Sequence, residues 1–193
     1  MKSPARICAA VLALAAFSAT AAAPWNLDAL MQTLAAAAGG RVAFVERKHI
    51  TLLDAPLVSR GEMRFTPPAR LERLTREPAA ESMVLDGDHL QIRRDGRALD
   101  LQLRNHPEAA AFIDSIRGTL AGDRDALERN FALSLAGDRQ DWRLDLLPRD
   151  AKLAELVLRI HITGSDGRIS LIEILQADGD RSELRLTPID DSE

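Results

Sequence analysis

The chain has 193 residues, a formal charge of −4, 46% hydrophobic residues and only 4% aromatic ones, with no tyrosine. An acidic balance with the two signs interspersed excludes a nucleic-acid partner and an electrostatic grip on anionic membranes. The single cysteine, Cys8, lies in the first ten residues, which excludes a disulfide framework or thiolate site in the body of the chain.

Lys2 and Arg6 precede an apolar run from Ile7 to Phe17, and Ser18 to Ala23 supplies small residues of the Ala-x-Ala type. This is the pattern of a secretory signal. The apolar run is too short for a permanent bilayer span, which needs about twenty residues. The expectation is a signal peptide over residues 1–21, with cleavage possible as late as Ala23; Ala21 is favoured because Pro24 directly after the later cut is unfavourable. Cys8 sits near the start of the signal rather than at the first mature position, so it reads as an apolar filler and not a lipid-anchor site. Losing Lys2 and Arg6 takes the formal charge from −4 to −6. The remaining chain, 24–193, is long enough for one domain with a substantial core, and that core must be aliphatic.

Pro24 to Ala38 reads as an amphipathic helix. Asn26 is its N-cap, Leu27, Leu30, Met31 and Leu34 recur at helical spacing, and Gly39-Gly40 ends it. Arg41 to Leu53 follows as a long strand, and Pro56 to Thr66 returns as the second arm of a hairpin. Within that arm, Met63 and Phe65 alternate with Glu62 and Arg64, the period of a sheet with one buried face. Pro67-Pro68 ends the strand. Leu71 to Glu77 and Ser82 to Leu85 are further extended runs, the second entering an Asp86-Gly87 turn. His89 to Ile92 and Leu99 to Leu103 alternate around a turn at Arg94 to Arg97.

The period then changes. Asn105 to Glu108 opens a helix with proline near its first turn, and Phe112, Ile113, Ile116 and Leu120 form its stripe. Gly122-Asp123 breaks it, and Asp125 to Arg129 adds a short helical turn. Strands resume at Phe131–Leu135, Trp142–Leu146, Leu156–Thr163, Ile169–Gln176 and Glu183–Thr187, with Pro148 to Lys152 as an irregular excursion. The pattern predicts a mainly β (α+β) fold of ten or eleven hairpin-connected strands, interrupted once by helix.

No catalytic constellation is present. The chain lacks Gly-x-Ser-x-Gly, a phosphate-binding glycine loop and His-Glu-x-x-His. Ser59, Ser82 and Ser134 have no base at motif spacing, and His49, His89, His106 and His161 are scattered. The Asp-Gly turns at Asp86, Asp95, Asp166 and Asp178 lack the register of a calcium loop. No enzyme activity, cofactor or metal is expected. What remains is a curved sheet with helices over its concave side. The inward set is Leu57, Met63, Phe65, Leu71, Leu101, Leu103, Leu144, Leu146, Leu158 and Ile160, and above it lie Leu30, Met31, Leu34, Phe112, Ile113 and Ile116. Periodicity fits a solid core and a cavity equally, and both stay open.

From Gly61 to Asp88 the order of features is specific: Gly61-Glu62-Met63-Arg64-Phe65, Pro68, Leu71, then Ser82 to Asp86-Gly87. This stretch resembles the periplasmic outer-membrane lipoprotein carriers of the LolA-like family, and the order of elements matches over nearly all of the chain after the signal. The resemblance implies an unclosed antiparallel β-barrel (half-barrel) with an N-terminal helix and a central helical lid over a hydrophobic cavity. It implies a monomeric periplasmic carrier of acyl-lipid or lipoprotein cargo, served by an inner-membrane donor and an outer-membrane acceptor, with no nucleic acid and no stable membrane insertion. The inward set would then be the cavity wall and the helical set the lid. One departure stands out: Pro67 occupies the position where the carriers place an arginine that holds the lid, which points to a divergent member serving another lipid or glycolipid. Rival readings are a lipid-sensing or regulatory domain of the same fold and an interaction module with a filled core.

Overall fold

The structure, a computed structural model, describes residues 24–189, apart from the side chains of residues 107–109, 111 and 112. The expected signal and the expected lid residue Phe112 lie outside what is described. Helix α1 spans Leu27–Ala36, and the Asn26 side chain caps it by accepting from Ala29 N at 2.9 Å. Six strands follow: β1 Gly40–His49, β2 Leu57–Thr66, β3 Arg70–Glu77, β4 Glu81–Asp86, β5 His89–Arg94 and β6 Arg97–Gln102. A 3-10 turn at Leu103–Asn105 leads into α2 (Pro107–Ala121) and α3 (Arg124–Asn130). Then come β7 Phe131–Gly137, β8 Trp142–Pro148, a single helical turn α4 Ala151–Ala154, β9 Val157–Ser165, β10 Arg168–Gln176 and β11 Arg181–Pro188.

The eleven strands form one sheet in the order β6-β5-β4-β3-β2-β1-β11-β10-β9-β8-β7. Every pairing is antiparallel. Two meanders are joined by pairing the first strand with the last, Val42 opposite Pro188 through His49 opposite Arg181. The sheet does not close: β6 and β7 are free edges. The polypeptide must travel from one edge to the other, and α2 and α3 are that crossing.

Alternation puts two apolar rows on the concave face. Leu101, Leu90, Leu85, Leu71 and Phe65 stand opposite one another across β6 to β2. Leu184, Ile172, Ile162, Leu144 and Leu135 do the same across β11 to β7. The charged positions between them face outward and pair in networks such as Arg41–Glu62–Arg76. These pairs are exposed enough to be worth little each.

Several boundaries differ from the sequence expectation for local reasons. β1 stops at His49 rather than Leu53, because Thr51 gives its N–H to Asp180 Oδ1 at 3.0 Å and Leu53 N turns back to Ile50 O. Leu103 is not a strand residue; it sits in the 3-10 turn, 2% exposed, with its N–H on Asp88 O. The stretch read as an irregular excursion runs into α4, where the Asp150 carboxylate accepts from Lys152 N and Leu153 N.

Gly61 explains why the Gly-x-apolar-x-aromatic strand begins with glycine. The register against β3 slips between Arg60 and Gly61, leaving Arg76 as the extra residue of a bulge. The backbones approach so closely that a Cβ on Gly61 would stand 1.9 Å from Leu74 O and 2.9 Å from the Phe44 ring. Gly61→Ala is expected to destabilise the fold by about 1–3 kcal/mol through overpacking, measured by urea unfolding against the parent.

Candidate functional site

The concave face is filled unevenly. On the β7–β10 side, Leu144, Leu146 and Ile160 are fully buried beneath Leu127 of α3 and Phe131, within the same packed cluster. Trp142, also fully buried, donates its indole N–H to Asp166 O at 2.9 Å. That half is solid core. Around β1, β2, β3, β10 and β11 the packing opens into a cavity of about 250 Å³ beneath α1 and α2. Its wall is Val42, Met63, Phe65 and Leu71 on one side and Ile169, Ile172 and Leu186 on the other. Leu34 of α1 and Ile116 and Leu120 of α2 form its cover. The mouth lies where α1 ends, at Gly39-Gly40, beside the β9–β10 turn at Gly167.

The helices that cover the cavity are joined at few points. Gly122, in the left-handed conformation at the end of α2, lets that helix meet α1: a Cβ there would be 2.2 Å from Met31 O. Arg124 of α3 reaches Asp28 of α1 at 2.6 Å. Arg117 of α2 donates to the carbonyl of Gly87 in the β4–β5 turn at 2.6 Å and also pairs with Asp114. Thus α2 is held to the sheet by a side chain of its own.

Of the expected inward residues, Met63, Phe65 and Leu71 border the cavity, as do Leu34 and Ile116 from the helical set. Leu144, Leu146, Ile160, Leu30, Met31 and Leu103 are buried in the core but do not border it. Leu101 and Ile113 are half-buried against the same core. Two expectations fail. Leu158 is 46% exposed because the β9–β10 register slips between Leu175 and Gln176; the bulge hands the inward position to Val157. Leu57 keeps the inward parity, opposite Lys48, but it lies past the apolar floor and is 54% exposed. Val42, Ile169, Ile172 and Leu186 escaped the sequence reading. Val42 stands opposite Met63 in the β1–β2 hairpin, whereas Leu186 reaches the cavity only through the β1–β11 pairing, with β10 bringing Ile169 and Ile172 behind it.

Next to Leu57 the concave face turns polar. Arg73 places a guanidinium nitrogen 2.6 Å from Glu46 Oε2, and its guanidinium carbon lies 4.3 Å from the centre of the Phe44 ring. Ser182 Oγ donates to Glu46 Oε1 at 2.7 Å and Ser59 Oγ to Oε2 at 3.3 Å. Burial pushes the Glu46 carboxyl up, but the Arg73 charge and the hydrogen bonds from Ser182, Arg73 and Ser59 outweigh it and hold it below the usual glutamate range. On the outer face, His161 Nδ1 is 2.7 Å from Asp145 Oδ1.

Residues 19–189 match the family described as outer membrane lipoprotein carrier protein LolA-like. Among solved structures the chain is similar to a LolA superfamily protein from Nitrosomonas europaea, with 12% identity, 83% of this chain and 89% of that chain covered, and a TM-score of 0.47. It is also similar to a DUF1329 family protein from Desulfovibrio piger, at 10% identity, 86% and 92% coverage and a TM-score of 0.49. A third is the Mycobacterium tuberculosis lipoprotein LppX, at 10% identity, 83% and 93% coverage and a TM-score of 0.45. No curated protein matches the chain.

The polar end of the trough has a measurable signature. Arg73→Ala leaves the Glu46 carboxylate mostly buried without its cation and should cost about 2–3 kcal/mol in urea unfolding at pH 7. The Glu46 pKa is lower folded than unfolded, so the pair stabilises fully above the unfolded value and less as pH falls through the folded one. Glu46→Gln should therefore show a shallower loss of stability than the parent between about pH 5 and pH 3.

Proposed function

The chain belongs to the outer membrane lipoprotein carrier protein LolA-like family, and we propose that it is a periplasmic carrier that shields the acyl chains of a lipoprotein or glycolipid on the way to the outer membrane. In this reading residues 1–21 direct export and are removed. The 24–193 domain then takes cargo from an inner-membrane donor and yields it to an outer-membrane acceptor. The observation that carries the proposal is the aliphatic cavity between the helices and the sheet, with Met63, Phe65 and Leu71 as its wall and Leu34 and Ile116 as its cover.

The energetics favour a non-covalent grip. Burying an acyl chain is worth about 0.8 kcal/mol per CH₂, so a sixteen-carbon chain would gain on the order of 12 kcal/mol. The cavity at 250 Å³ falls just under the roughly 300–1,000 Å³ of ordinary ligand pockets. A whole chain therefore needs α1 and α2 to move outward, and the cover acts as a lid. Because Pro67 stands where the family places its lid-holding arginine, the latch here is Arg117 on the lid itself, donating to Gly87 O.

Leu71→Glu should abolish uptake of a fluorescent sixteen-carbon fatty acid while the protein keeps its circular dichroism spectrum. Met63→Trp, which fills the cavity without adding charge, should do the same. Folded variants that take up the probe like the parent would overturn the cavity as the site. Arg117→Ala should raise the stopped-flow uptake rate by about tenfold, the effect of losing one charge-assisted hydrogen bond from a closed lid. An unchanged rate would remove Arg117 from the gate.

A further inference from the structure

Five of the eight large apolar side chains that stand exposed among the described residues, Leu52, Leu53, Leu57, Leu156 and Leu158, come from two short stretches. Both stretches are tied to one turn. Thr51 N–H binds Asp180 Oδ1 at 3.0 Å, and Ala177 N–H binds Leu156 O at 3.1 Å, so the β1–β2 hairpin tip and the β8–β9 connection flank the β10–β11 turn. The leucines therefore share one rim of the half-barrel, the end away from the cavity mouth. Leu52 at the tip is 93% exposed on a loop pinned at Thr51 and turned by Leu53 N to Ile50 O.

We propose that this rim docks the protein reversibly on the surface of a lipid bilayer. The occupant follows from shape and charge. The leucines stand on a protruding tip and along a rim, not around a groove, so a deformable planar surface can receive all of them while a protein partner would need matching pockets. Lys48, Lys152, Arg159 and Arg181 on this end are offset by Asp54, Glu155, Asp178 and Asp180, which leaves no net charge to prefer an anionic or cationic partner. A zwitterionic surface fits. Docked this way, the cavity mouth points away from the bilayer. The inference goes beyond cargo binding and does not require it.

The test is flotation of protein lacking residues 1–21 with neutral phosphatidylcholine vesicles. The parent should float, equally at low and high salt. Leu52→Asp combined with Leu53→Asp should lower the bound fraction by about tenfold or more. Leu74→Asp, an exposed position in the middle of β3, should float like the parent, and so should Leu71→Glu, whose cavity is closed to lipid. A parent that stays with the soluble fraction, or that binds only anionic vesicles and is released by salt, overturns the proposal. So does a tip variant that floats normally. Loss of flotation in Leu71→Glu would assign vesicle association to the cavity instead.

Discussion

Everything else in this fold depends on the pairing of β1 with β11. It unites two meanders that are separately open-edged into one eleven-stranded sheet and fixes its free edges at β6 and β7. Since β6 and β7 are consecutive in the chain, the connection between them has to cross the concave side. A crossing of that length is satisfied most cheaply by helix, whose backbone groups bond internally. The helical cover is thus a topological necessity, and its apolar stripe supplies the roof that the aliphatic floor requires.

That roof does not seal the trough evenly. Over β7 to β10, Leu127 of α3 lies in the same buried cluster as Phe131, Leu144, Leu146 and Ile160. Over β1 to β3 the roof is α1 with the second half of α2, joined to the sheet through Arg117 and to each other at Gly122. The side chains of the floor and cover are aliphatic apart from Phe65, and the charged residues of the lining, Arg41 and Arg168, stand beside Gly39-Gly40 and Gly167. For the proposed carrier, selection within the apolar part of the cavity would rest on chain volume and on the work of moving the helices. The Arg73–Glu46 cluster marks where this apolar surface ends.

Much of this was legible in the chain because its local signals agree. Strict alternation around Met63 and Phe65, the Asp-Gly turns and the change of period after Asn105 each point to a strand, a hairpin or a helix without tertiary help. What escaped is what register decides. Leu158 has the right parity on paper, and one bulged residue turns it outward. Leu57 has the right parity in space as well, and lies beyond the lid. Leu186 joins the cavity through a pairing between residues more than a hundred positions apart, which no window of sequence contains. The distinction between cavity and solid core was also invisible, because both halves of the trough carry the same pattern and differ only in how closely the helices approach.

The most direct measurement is native mass spectrometry of the protein taken from a periplasmic extract, followed by organic extraction of whatever it carries. An added mass that extracts as acyl lipid is the expected result, and its chemistry would distinguish a lipoprotein from a glycolipid. A bare protein mass that persists after incubation with acyl lipids would contradict a carrier and leave a half-barrel whose concave side is only core.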